Sequence, residues 1–234
     1  MVRAFLSIFF LSFLLSCQPS DSQQADTTDS IPEIQQPGIG FERPKAQVLD
    51  HIFSVDELDC ELMQLAATQF SVEYPDSVEM ESPKNGRDYV IFRQRSGQKI
   101  LEEISIGATD FNLANGPGYA TQLLQIIKDE LSMAMPEAQF ELVGQVKFQD
   151  RKGYLLTGEM DFRPFQDPHY PGKYRMLTWI TLPTQDQLLH SVVITCLAHE
   201  EVGLQDWKGF ETQGIFHKIL PTFQYIERMG TQLP

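Results

Sequence analysis

Through the middle of the chain, apolar residues recur with a two-residue period, broken only by a glycine in each of two runs. Phe70, Val72 and Tyr74 do so, then Phe140, Leu142, Val146 and Phe148, then Tyr154, Leu156, Met160 and Phe162. A two-residue period puts such a set on one side of an extended backbone, so these segments bury their apolar face as strands of a sheet. The last two runs flank a polar turn at Asp150 to Gly153 and read as one long hairpin. Asp88 to Arg95 and Lys99 to Thr109 add two strands joined by Ser96-Gly97, a tight-turn signal, and a short return strand falls around Val78 and Met80. Lys173 to Leu182 and Leu188 to Leu197 form a further hairpin across Pro183 to Gln187. The second of these is apolar on both faces, which predicts a central strand covered on both sides.

Three segments change the period. Ser54, with Glu57 three residues on and Phe53 placed to pack on Leu58, predicts a capped helix of about three turns over residues 55 to 67. Asn115-Gly116-Pro117-Gly118 interrupts the sheet. Ala120, Leu123, Leu124, Ile127, Leu131 and Ala134 then form a stripe at helical spacing, an amphipathic crossover helix. Finally, Asp206 is a candidate cap for a helix reaching Ile226, with Ile215, Phe216, Ile219, Leu220, Phe223 and Ile226 on the face that covers the sheet. Pro221 predicts a kink or a split there.

The N-terminus carries a different signal. Arg3 precedes an apolar run from Ala4 to Leu15, and Leu14-Leu15-Ser16-Cys17 closes it with a small residue before a cysteine. The run falls short of the roughly 20 residues needed to span a bilayer. It resembles the bacterial lipobox, which implies a signal peptide at 1–16 and lipidation of Cys17. Because each buried CH₂ contributes about 0.8 kcal/mol, the several chains of a processed lipoprotein hold a membrane durably. Residues 17–45 are rich in Gln, Ser, Asp, Thr and Pro and read as a disordered tether with a reach on the order of 30 Å. A single domain over 46–234 follows. Gln18, rather than an acidic residue, after the cysteine resembles outer-membrane sorting in Gram-negative bacteria, so the expected location is the cell envelope, facing the periplasm or the exterior.

Net charge narrows the partners. The chain carries −14; without the leader, 17 basic stand against 32 acidic side chains, or −15. Nucleic-acid affinity comes mostly from cations neutralising phosphate, so DNA and RNA are not expected partners. With Cys17 lipidated, Cys60 and Cys196 remain in a compartment where a bridge could persist. The helical reading turns Cys60 away from the apolar face while Cys196 lies in a buried strand, which favours two separate thiols over a disulfide.

The order of elements resembles the PsbP-like domain, whose fold is shared with a eukaryotic Ran-binding nuclear transport factor. The local matches are Phe70-Ser71-Val72-Glu73-Tyr74-Pro75, Lys152-Gly153-Tyr154-Leu155-Leu156, and Trp207-Lys208-Gly209-Phe210 leading to Pro221-Thr222-Phe223, together covering about residues 68 to 226. Where the family usually has a tryptophan after the first proline, this chain has Ser77-Val78. The resemblance implies an α+β fold, an α/β/α sandwich around an antiparallel sheet, and a binding or assembly role rather than catalysis.

Signatures of chemistry are sparse. No C-x-x-C, G-x-S-x-G, G-x-x-x-x-G-K-[ST] or H-E-x-x-H occurs. Gly116-Pro117-Gly118 superficially resembles a phosphate loop, but its proline removes a donor and suits a helix start better. His199, Glu200 and Glu201 are candidate metal or ligand contacts, although adjacent residues rarely converge on one centre. Glu102 and Glu103 fall on opposite faces of a strand and cannot share a substrate. One segment stands out on an acidic chain: Arg163, Phe165, His169, Tyr170, Lys173 and Arg175 mix basic and aromatic side chains with prolines in a loop. Such a surface suits partner docking, the other reading being aromatics folded back on the sheet. The chain is therefore expected to be a membrane-anchored, non-enzymatic binding or assembly factor with no cofactor, whose partners are the membrane, through its lipid, and an envelope protein. A small-ligand or metal carrier is the alternative, and a hydrolase the remote one.

Overall fold

The computed structural model describes residues 49–56, 58–59, 69–83, 88–108, 118–148, 151–181 and 192–226. The proposed leader, Cys17, the tether and Cys60 lie outside them.

Seven strands form one antiparallel sheet in the order β3 (Glu79–Glu81), β4 (Asp88–Ser96), β5 (Lys99–Ala108), β9 (Val192–His199), β8 (Lys173–Thr181), β7 (Arg151–Asp161) and β6 (Gln139–Phe148). The apolar alternation in these segments is what the sheet buries, except that in β6 a bulge at Val143 sends Phe140 and Leu142 to one core and Val143 and Val146 to the other. β9 lies between β5 and β8 and is covered on both faces, as its two-sided apolar pattern predicts. Ser96 pairs with Lys99 around Gly97, which takes φ +61 at the first central position of the turn, a place in primed hairpin turns that suits glycine.

Each face of this sheet has its own core. On one, the helix α1 (Gly118–Ala134) carries the chain from β5 across to the far edge strand β6. It lays Leu123, Leu124, Ile127 and Leu131 against Leu156, Met176 and Ile180. On the other, a three-stranded sheet in the order β1 (His51–Val55), β2 (Phe70–Tyr74), β10 (Gln224–Tyr225) packs with the C-terminal segment over Phe92, Ile104, Ile106 and Ile194. The molecule is thus an α+β fold with a central antiparallel sheet between two covering layers. No helix among the described residues is long and apolar enough to cross a membrane.

The second covering layer differs from a pair of helices in two respects. Ser54 is a residue of β1, paired with Ser71, instead of a helix cap. The capping pair lies two residues later, where Asp56 N–H donates to Asp59 Oδ2 at 3.1 Å and Asp59 N–H to Asp56 Oδ1 at 2.9 Å. Leu58 is exposed and does not staple onto Phe53. The sequence Phe53-Ser54-Val55 satisfies strand alternation as well as it does a capping box, and pairing with β2 decides between them. The closing helix is likewise broken up. A 3₁₀ turn at Trp207–Glu211, the short helix α2 (Phe216–Ile219) and a 3₁₀ turn at Leu220–Thr222 replace one continuous rod. Pro221 cannot donate, and Gly214, at φ +67, redirects the chain before α2. The apolar stripe is buried as far as Phe223, with Phe210, Ile215, Phe216, Ile219, Leu220 and Phe223 all in the core; Ile226, expected on the same face, is exposed because the chain leaves helical geometry at Phe223 and continues as β10, and Asp206 does cap its turn by accepting from Gly209 N–H.

A β-bulge interrupts the pairing of β5 with β4. Gln94 pairs with Glu102 but Arg95 pairs with Ile100, so Leu101 is the extra residue. The bulge turns Ile100 toward the α1 side, whereas Ile104 and Ile106 face the C-terminal layer. It leaves Glu102 and Glu103 both buried, one on each side of the sheet.

Candidate functional site

The basic and aromatic loop hangs from the end of β7 and returns into β8, on the α1 side of the sheet. Its aromatics fold inward. Phe162, Tyr170 and Tyr174 are buried, with ring centroids 5.3 to 5.7 Å apart, and Phe165 packs at their margin. Tyr174 donates to Ile100 O at 2.6 Å, and His169 O accepts from Ile100 N–H at 2.9 Å, which ties the loop to the start of β5. The Tyr170 hydroxyl donates to Glu103 at 2.8 Å. Glu103 in turn accepts from Arg93 Nε at 2.5 Å, and the far side of that guanidinium reaches Glu81 on edge strand β3. Burial and the adjacent Glu103 charge both push the Tyr170 phenol up, so it stays a neutral donor.

The polar members of the loop sort by direction. Arg163 is exposed and forks onto Asp161, whose carboxyl that guanidinium holds down to about 2. Lys173 reaches Glu159 at 3.4 Å, and Arg175 Nε donates to Leu204 O at 2.7 Å. His169 Nδ1 lies 2.9 Å from Gln98 O and 3.3 Å from Arg95. Arg163, Pro164, Gln166, Pro168 and Pro171 face solvent. The six residues singled out from the sequence therefore divide: Tyr170 is interior, Arg175, His169 and Lys173 brace the loop, Phe165 is partly covered, and Arg163 points out.

His199, Glu200 and Glu201 are not brought to one point. The His199 ring is buried against Tyr174, with Nε2 on Pro171 O at 2.8 Å and Nδ1 accepting from Glu201 N–H at 3.2 Å. Both ring nitrogens are thus occupied, Nε2 in fastening the Arg163–Arg175 loop to the end of β9 and Nδ1 in capping the turn that follows β9. Glu201 reaches away to Lys99 Nζ at 2.5 Å, a contact that lowers its pKa. Among the described residues, no three His, Cys, Asp or Glu side chains are grouped to hold a metal. Cys196 is a free, fully buried thiol, and burial raises its pKa, which leaves it a poor nucleophile.

A second feature lies on the opposite face of β5, where the sequence reading gave no candidate. The bulge at Leu101 leaves a cleft of about 430 Å³ between β5 and the C-terminal segment. At its base lies Glu102, whose two oxygens each stand 3.3 Å from Ile215 N and accept its N–H. Burial raises the Glu102 pKa, an effect only partly offset by the Ile215 N–H and by the charge of Lys218. His217 and Lys218 line the other wall, on α2, and the His217 Nδ1 is out of solvent with no hydrogen-bond partner. Leu101 and Val202 supply apolar surface. The sequence does carry a signal for this cleft: Glu102-Glu103 interrupts an otherwise apolar strand, so at least one of the two had to be buried.

No family model matches the chain, and no curated protein matches it in sequence. Among solved structures the chain is similar to the solution structure of cyanobacterial PsbP (CyanoP) from Synechocystis sp. PCC 6803, at 12% sequence identity and a TM-score of 0.45, covering 79% of this chain and 98% of that one.

Proposed function

We propose that this chain is a lipid-anchored extracytoplasmic binding or assembly factor, held to the cell envelope through Cys17 and docking a protein partner on the loop from Arg163 to Arg175. The observation that supports this reading is the bracing of the loop. Tyr170 on Glu103, Tyr174 on Ile100 O and His199 on Pro171 O fix its underside, while Arg163, Pro164, Gln166, Pro168 and Pro171 stay exposed. Gln166 is held at φ 53, the one left-handed non-glycine residue among those described. A surface already fixed in shape loses little entropy when a partner covers it, and a proline-rich tip presenting one arginine suits a complementary, acid-bearing protein surface.

The test is crosslinking and affinity purification of the native lipoprotein beside an Arg163→Glu, Gln166→Gly variant, whose substitutions touch no core contact. The expected result is a reproducible envelope partner captured by the unaltered chain and lost from the variant, which stays folded by circular dichroism and melts only slightly lower for want of the exposed Arg163–Asp161 pair. Recovery of the same partners by both, or of none by either, would overturn the docking role. Cys17→Ala should move the protein from the membrane to the soluble fraction, and membrane retention of that variant would remove the anchor from the proposal.

A further inference from the structure

The cleft beneath the bulge has the properties of a site for a charged small molecule, independently of the docking loop. Its two walls present opposite charges: Glu102 from β5 and Lys218 from α2. They are close enough for the ammonium to act on the carboxyl electrostatically, yet Lys218 forms no ion pair with any described residue. Acid and base thus line one cleft without closing on each other. Glu201 at the same cleft is already matched by Lys99, so it adds no free charge. Beside Lys218, the His217 ring brings an unpartnered buried nitrogen, and Gln94 brings an amide. A desolvated carboxylate gains from an added cation, and an unpaired ammonium gains from an added anion.

We propose that the cleft binds a small zwitterion of the amino acid class, its ammonium on Glu102, its carboxylate on Lys218, and its side chain against Leu101 and Val202. A molecule with only one charge satisfies one wall and leaves the other as it was. The volume of about 430 Å³ lies at the lower end of ligand-holding pockets, which favours a single amino acid or a dipeptide over a larger solute.

The test is NMR titration of the full chain in detergent micelles with the common L-amino acids, one at a time. It is followed by titration of the amine and the acid that each lack one charge of the tightest binder; for L-valine these are isobutylamine and isovalerate. The expected result is saturable shifts of Leu101, Val202 and His217 resonances by at least one amino acid, with either single-charge analogue at least about tenfold weaker. Lys218→Ala should weaken the amino acid by roughly tenfold or more while leaving the amine analogue unchanged and the fold intact by circular dichroism. The proposal fails if no amino acid shifts these resonances, if a single-charge analogue binds as tightly, or if Lys218→Ala binds like the unaltered chain. None of these outcomes bears on partner capture by the Arg163 loop.

Discussion

Gly214→Ala is the substitution that most directly tests how the C-terminal layer is held to the sheet. Gly214 has φ +67, a conformation that costs an L side chain about 1–2 kcal/mol. A Cβ built there falls 1.5 Å from Glu102 Oε1 and 2.6 Å from its Cδ, so the carboxylate must leave its seat. Leaving it strips the buried Ile215 N–H of its acceptor, a further loss of about 1–3 kcal/mol. Together the expected loss is about 2–5 kcal/mol, which for a domain of this size lowers the melting temperature by roughly 4–20 °C. Two controls separate the contributions. Gly97→Ala meets φ +61 with nothing within 4 Å of the new Cβ, so it isolates the backbone effect and should cost only about 1–2 kcal/mol. In a Glu102→Ala background the clashing atoms are gone, and Gly214→Ala should likewise cost only about 1–2 kcal/mol. Urea denaturation of the four members of the Glu102, Gly214 cycle measures this. If the cost of Gly214→Ala is the same in both backgrounds to within about 0.5 kcal/mol, the two residues are uncoupled and the seating of Glu102 on this turn is wrong.

Three further outcomes are expected. Arg93→Met leaves Glu103, whose side chain is 9% exposed, without its cation and should cost about 3–5 kcal/mol in urea denaturation; adding Glu103→Leu should restore most of that loss. Glu81, 58% exposed, should contribute far less, and Glu81→Ala should fall within about 1 kcal/mol of the unaltered chain. The pH dependence from Glu102 runs opposite to that of an ion-paired carboxylate. Its folded pKa is raised above the ordinary value of 4.5, so between that value and the raised one the folded state binds more protons and stability falls as pH rises. Against Glu102→Gln, which does not titrate, the unaltered chain should lose relative stability on going from pH 4 to pH 7 in urea melts; a gain over that range would refute the raised pKa.

The strands were legible in the sequence because their signal is local. Two-residue alternation in β2, β6 and β7 and the turn glycine between β4 and β5 each specify an element without reference to the rest of the chain. The stripe on α1 did the same at helical period. What failed was local ambiguity resolved by partners far away. Phe53-Ser54-Val55 carries a helix start and a strand with equal consistency, and only the pairing of Ser54 with Ser71 selects the strand. The C-terminal stripe matches the buried residues from Ile215 to Phe223 but not Ile226, which is exposed; a stripe constrains which side faces inward rather than whether the backbone between is continuous, and Gly214 and Pro221 interrupt it. The basic and aromatic loop is legible as composition, whereas the inward turn of Tyr170 depends on Glu103, a residue 67 positions earlier in the chain. A buried carboxylate in β5 is legible as Glu102-Glu103 within an apolar strand, but the cleft beside it follows from the bulge at Leu101, and a bulge exists only in the register between two strands.

The two adjacent carboxylates of β5 connect these observations. In a sheet covered on one face, consecutive Glu residues would place one side chain in solvent, and only the other would need a partner. Here both faces are covered, so each must be satisfied from the layer it enters. Glu103 does this with Arg93 and Tyr170 and thereby fixes the loop on the α1 side; Glu102 does it with Ile215 N–H and thereby fixes the turn on the other. The difference between them is completeness. Glu103 has a full guanidinium partner with a phenol beside it, whereas Glu102 has one backbone donor at 3.3 Å and an ammonium that does not reach it. A buried charge with partial compensation is destabilising where it serves packing alone, so the asymmetry within one dipeptide separates a structural carboxylate from one with capacity left for a ligand.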